Sequence, residues 1–116
     1  MSRAFEAAQV EKIRALNDAF RKHPYAGLGK VVMTQGVNMI SGGFAYKALA
    51  AVQAFDRFDR DNDPHGEHDF VSVEVDGQLI FGKIDYFDRE MECGSEDPSN
   101  PDVTTRVLTI MLADEY

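Results

Sequence analysis

The sequence predicts an α+β fold in two layers, with two helices from the N-terminal half packed on one face of a mainly antiparallel sheet of about four strands. Three observations predict it. Apolar residues recur at helical spacing in two early segments, strand-like runs fill the second half, and an Asp76-Gly77 dipeptide joins two of those runs.

The first helix is expected over residues 3–22, where Phe5, Ile13, Leu16 and Phe20 fall on one stripe with Lys12, Asp18, Arg21 and Lys22 off it. His23-Pro24 ends it, because the residue before a proline is pushed out of the helical region. Val31-Val32-Met33-Thr34 reads as a short strand. The second helix is expected from Gly43 to Phe58, with Phe44, Ala48, Ala51, Val52, Phe55 and Phe58 on one face and Ser41 or Gly43 as its N-cap.

Residues 70–75 and 79–87 then make a hairpin. A two-residue turn fixes its register, setting Val75 opposite Gln78, Val73 opposite Ile80 and Val71 opposite Gly82. Val71, Val73, Ile80, Ile84 and Tyr86 share the face expected under the helices. A long acidic loop, 88–102, leads to a last strand over about 105–112.

The 116 residues fit one domain, residues 1–116, and the 44% apolar content suffices for a packed core. The lone Cys93 excludes an internal disulfide. Neither a signal peptide nor a run of the ~20 apolar residues needed to span a bilayer is seen, so a cytoplasmic protein is expected. The net charge is −8 and unevenly spread: residues 1–30 hold six bases and three acids, residues 31–116 six bases and seventeen acids. Such a surface repels nucleic acid and anionic membranes and attracts basic protein surfaces or cations.

The hairpin register brings the loops 56–69 and 85–102 out side by side. Together they carry Asp61, Asp63, Glu67, Asp69, Asp88, Glu90 and Glu92 among thirteen acids, against Arg57, Arg60 and Arg89. The functional reading is a site for a basic partner; the plainer one is a solvated rim that keeps the protein soluble. Asp61-Asn62-Asp63-Pro64-His65-Gly66 resembles the first half of a calcium loop. Its twelfth position is Ser72 rather than a bidentate Glu, and side chains bonding their own backbone explain the segment as well.

Continuing the register pairs His68 with Asp85, an arrangement suited to an oriented general base, with Glu67 beside it. That makes a small hydrolase or metal-dependent enzyme centred on His68, Glu67 and Asp85 the alternative reading. No nucleophile motif accompanies them, and acidic neighbours disfavour a thiolate at Cys93. Ser41-Gly42-Gly43 at a helix start reads as a cap and a turn rather than an anion cradle. No cofactor or resident metal is expected. The outer hairpin face carries Phe70, Leu79, Phe81 and Phe87, which need covering by the 88–104 loop, by a second copy in a homodimer, or by a partner.

Three blocks carry a family resemblance: residues 61–70 (Asp-Asn-Asp-Pro-His-Gly-Glu-His-Asp-Phe), 83–88 (Lys-Ile-Asp-Tyr-Phe-Asp) and 103–116 (Val-Thr-Thr-Arg-Val-Leu-Thr-Ile-Met-Leu-Ala-Asp-Glu-Tyr). They resemble the signature blocks of an uncharacterised bacterial family, domain of unknown function 3768, and residues 13–20 resemble its first helix. The resemblance implies no activity and no catalytic residues. It implies a setting, since such genes resemble the cargo of plasmids and integrated elements. Small acidic proteins from such elements often inhibit host defence enzymes by occupying surfaces meant for nucleic acid. The expected function is therefore a non-catalytic acidic protein-binding domain, in its sharpest form a nucleic-acid mimic.

Overall fold

A computed structural model describes residues 3–27 and 29–116. Helix α1 spans Arg3–Lys22 and is followed by strand β1, Gly29–Met33. A short helix α2 (Gln35–Met39) precedes α3 (Phe44–Ala54), after which come β2 (Phe70–Val75), β3 (Gln78–Phe87) and β4 (Thr105–Leu112). One-turn 3-10 helices at Pro101–Val103 and Ala113–Glu115 flank β4.

The four strands form one sheet in the order β1-β4-β3-β2, antiparallel except for the β1–β4 pair. The expected hairpin register holds at every named pair: Val75 faces Gln78, Val73 faces Ile80 and Val71 faces Gly82. Asp76 and Gly77 both take positive φ, 51° and 80°, which is what a tight turn matched to the strand twist requires. Register follows from the turn because each added residue would send every side chain to the opposite face.

The core lies between the sheet and the helices. Phe20 of α1, Val37 of α2, and Phe44, Ala48 and Val52 of α3 pack on Val71, Ile80, Ile84, Leu108 and Ile110. Gly82 sits beneath Val52 so closely that a methyl there would lie 2.8 Å from Val52 Cγ1. The small residue lets α3 settle on the sheet.

Helix α1 begins and ends where expected, but its buried face follows the expected apolar stripe only in part, with Phe20 buried and Ile13 and Leu16 half-buried. Asn17, Phe20 and Arg21 are the buried residues, while Phe5 is 48% exposed. Helix α3 stops at Ala54 rather than Phe58, with Gly43 as its N-cap and Phe55 already extended. The Phe55 carbonyl accepts from Arg21 Nη2 at 3.4 Å, and the Phe55 ring meets Phe58 edge-on with centroids 4.9 Å apart. These tertiary contacts override the helical periodicity that runs on through Phe58. Helix α2 was not predicted, since five residues are too few to display a period.

Candidate functional site

The segment 55–69 returns the chain from α3 to β2, and its own side chains shape it. Asp59 Oδ1 accepts the N–H groups of Asp61 and Asn62, each at 2.9 Å. Asn62 Oδ1 takes the Asp59 N–H at 2.8 Å, and its Nδ2 donates to the Arg57 carbonyl at 2.9 Å. These are the self-bonding turns that Asp and Asn favour, and they account for the partial likeness to a calcium loop. Among the described residues, no group of three or more His, Cys, Asp and Glu is arranged to hold a metal ion.

Asp63 turns inward, its side chain only 5% exposed. It accepts the His68 N–H at 3.1 Å and lies 3.5 Å from His68 Nε2. The other ring nitrogen, Nδ1, lies 2.9 Å from Asp18 Oδ1 on α1, and the ring stacks on Phe58 at 3.8 Å between centroids. Asp18 also takes Arg21 Nη1 at 3.0 Å. His68 thus ties the 55–69 segment to α1.

The expected pairing of His68 with Asp85 does not form. His68 has a φ of 56°, so the strand alternation breaks two residues before β2 begins and the imidazole swings to the helix side. Asp85 remains on the outer face, 3.3 Å from Lys83 Nζ. Glu67 is engaged elsewhere, accepting the Tyr86 hydroxyl at 2.6 Å. The three residues of the alternative hydrolytic reading therefore have three separate sets of partners.

Glu67 belongs to a polar cluster beneath α1 that the apolar pattern did not reveal. Asn17, fully buried, donates through Nδ2 to the Glu67 carbonyl at 2.9 Å and to the Tyr86 hydroxyl at 2.8 Å. Its Oδ1 accepts Arg106 Nε at 2.7 Å, and Arg106 Nη2 reaches the Pro98 carbonyl at 2.6 Å. The Arg106 guanidinium also lies 5.2 Å from the centre of the Tyr86 ring. Burial, and then the bond to the Glu67 carboxylate, push the Tyr86 hydroxyl far above its ordinary pKa; burial pulls that of Arg106 down. The cluster joins α1, both acidic loops and two strands. One signal for it lay in the sequence: Arg106 alternates with Leu108 and Ile110 on the inward face of β4.

The second acidic loop is similarly self-supporting. Gly94 bridges back to Phe87, Asp88 Oδ1 accepts the Glu92 N–H at 3.0 Å, and the Ser95 and Thr104 hydroxyls share a hydrogen bond of 2.7 Å. Asp97 caps its own turn through Ser99. Asp88, Arg89, Glu90, Glu96 and Asp102 line an open cleft of about 390 Å³.

The predicted acidic residues therefore divide. Asp63, Glu67 and Asp88 are spent on internal bonds, whereas Asp61, Glu90 and Glu92 are exposed, as are Glu96 and Asp102. Asp69 is half-buried; burial, with the nearby Glu67 and Asp63 adding to it, raises its pKa against the lowering effect of its backbone hydrogen bond. On the outer face, Phe70 and Phe81 lie 5.0 Å apart and both meet the Tyr116 ring edge-on, at 5.9 and 5.7 Å. Leu79 is 48% exposed, and Phe87 is half-buried at the Gly94 bridge. Cys93 is a free, exposed thiol.

Among the described residues no helix is long and apolar enough to cross a membrane. No curated protein and no solved structure matches the chain. Residues 33–115, which include the three blocks quoted above apart from the final Tyr116, match the family described as Protein of unknown function (DUF3768), and the chain belongs to that family.

Proposed function

We propose that this protein is a cytoplasmic, non-catalytic binding domain that docks its acidic end on a basic protein surface. The observation that carries the reading is how the polar groups are used. His68, Glu67 and the inward Asp63 are occupied in tying loops to α1, while Asp61, Glu90, Glu92 and Glu96 are exposed, with no hydrogen bond or ion pair to their carboxylates among the described residues. A general base needs a free acceptor within reach of its substrate, and His68 has a carboxylate at each ring nitrogen. In its sharpest form, the basic surface is one that a nucleic-acid-handling enzyme of a host defence keeps for phosphates, and the carboxylates of a mobile-element protein stand in for them.

The test is a comparison of two variants with equal charge change. Asp61→Asn, Glu90→Gln, Glu92→Gln and Glu96→Gln together remove the loop charge; Glu6→Gln, Glu11→Gln, Glu74→Gln and Asp114→Asn together remove exposed charge elsewhere. Against a labelled peptide of alternating Arg and Gly, the loop variant binds at least tenfold more weakly and the control within about twofold. Equal losses in both would sink the reading. Asp18 has no place in the control, because it holds His68 and Arg21.

A further inference from the structure

A groove of about 530 Å³ lies on the outer sheet face, lined by Phe70, Phe81 and Tyr116 with Asp69, Lys83 and Asp85 beside them. We propose that this groove receives an arginine side chain of the basic partner, its guanidinium lying against the aromatic rings and paired to Asp85 and Asp69. The inference rests on the binding reading above and gives that reading its anchor point.

Charge complementarity selects the occupant. The groove holds three aromatic rings at steep mutual angles, 55°, 87° and 86°, so faces and edges are both presented. Aromatic faces attract cations, and a planar guanidinium both stacks on a ring and offers paired donors to a carboxylate, which an ammonium does not. Three carboxylates line the groove, Asp63, Asp69 and Asp85, against Lys83 as its one permanent cation, so it is acidic as a whole.

The carboxylates are not equivalent. Asp63 is committed to His68. Asp85 is paired with Lys83 at 3.3 Å, but both side chains are over a third exposed, and such a pair is worth little and readily exchanged. Asp69 has no Lys or Arg partner among the described residues, and its pKa is raised by burial. A cation brought to it offsets a desolvation that its backbone hydrogen bond and the nearby His65 compensate only in part. Tyr116 is 74% exposed, a large ring left mostly in water at the groove's rim.

The test uses N-acetyl-arginine methylamide as probe, followed by amide and side-chain NMR shifts of the full chain. Saturable shifts are expected at Phe70, Phe81, Asp85 and Tyr116, with weaker binding of the lysine analogue and none of the citrulline analogue, which lacks the charge. Tyr116→Ala, at an exposed position, and Asp85→Asn are each expected to weaken the probe about threefold or more while leaving the spectrum folded. In the Arg-Gly peptide, these two variants speed dissociation and leave association unchanged, opposite to the loop variant. Equal shifts with the citrulline analogue, or shifts confined to the acidic loops, would overturn the proposal. So would a concentration-dependent dimer whose interface covers the groove. A groove that fails while the peptide still binds through the loops sinks this inference alone; a groove that saturates with arginine while the loop variant binds normally sinks only the docking reading.

Discussion

Asn17→Ala should be among the most damaging single truncations in the molecule, although Asn17 is a polar residue on a surface-patterned helix. The side chain is fully buried and makes three hydrogen bonds: to the Glu67 carbonyl, to the Tyr86 hydroxyl and from Arg106 Nε. Truncation leaves each of those groups short of a partner in the interior. A buried unsatisfied group costs roughly 1–3 kcal/mol, and more when charged, as Arg106 is. Tyr86 keeps Glu67 as acceptor and Arg106 keeps Pro98, so the lower values apply to part of the set. The sum is about 3–5 kcal/mol, a large share of the ~5–15 kcal/mol that holds a domain folded. Urea unfolding should register it as a lower midpoint at unchanged slope, with a melting temperature lower by roughly 4 °C per kcal/mol. Lys12→Ala, exposed on the same helix, should stay within about 0.5 kcal/mol. A loss below about 1 kcal/mol at Asn17 would refute the view that this cluster holds the acidic loops in place.

Other consequences follow from single contacts. The raised pKa of Asp69 means the folded state holds its proton more tightly than the unfolded chain, so its contribution is favourable below the ordinary carboxylate range and is lost as pH rises through the raised value. Asp69→Asn should therefore raise the melting temperature near pH 7, with the gain vanishing at about pH 3; a gain at both, or none at either, would contradict the assignment. Glu115 runs the other way. Its pKa is lowered chiefly by the Thr34 hydroxyl, then by the backbone N–H groups of Leu112 and Gly36, so its hold on the end of β1 is present above the ordinary Glu range and lost as pH falls through the lowered value. Glu115→Gln should loosen Tyr116 from Phe70 and Phe81 at neutral pH, visible as lost contacts between the rings in NOE spectra. Gly82→Ala puts a methyl 2.8 Å from Val52 Cγ1, and Val52 is wholly buried, so about 1–3 kcal/mol should be lost. Adding Val52→Ala should then cost less than it does alone; strict additivity would show that the two do not touch.

The parts of the fold legible in the sequence were those set by local rules. Asp76-Gly77 fixes a turn, the turn fixes a register, and the register assigns Val71, Ile80 and Ile84 to the core. Pro24 marks the end of α1. What was illegible depends on partners far along the chain. Asn17 and Arg21 look like solvent-facing residues until Arg106, Glu67 and the Phe55 carbonyl are brought beneath them. Phe58 reads as helix by period and is instead pulled away to stack on His68. His68 reads from the register as the partner of Asp85, but one left-handed φ gives it Asp18 and Asp63 instead. The acidic loops were visible as composition; which carboxylates remain exposed was not, because Asp63, Asp88 and Asp97 are consumed by bonds that only the folded loops define.

The most direct test of docking through the loop carboxylates is the salt dependence of association. Exposed charges are screened over about 8 Å at physiological ionic strength, so a charge-steered encounter slows as salt is added. Stopped-flow association with the Arg-Gly peptide should give an on-rate that falls steeply with ionic strength for the natural chain and for the Glu6, Glu11, Glu74 and Asp114 control. The slope should be much flatter for the variant neutralised at Asp61, Glu90, Glu92 and Glu96. If the loop variant keeps the full slope, the exposed loop carboxylates do not steer binding and the account is wrong.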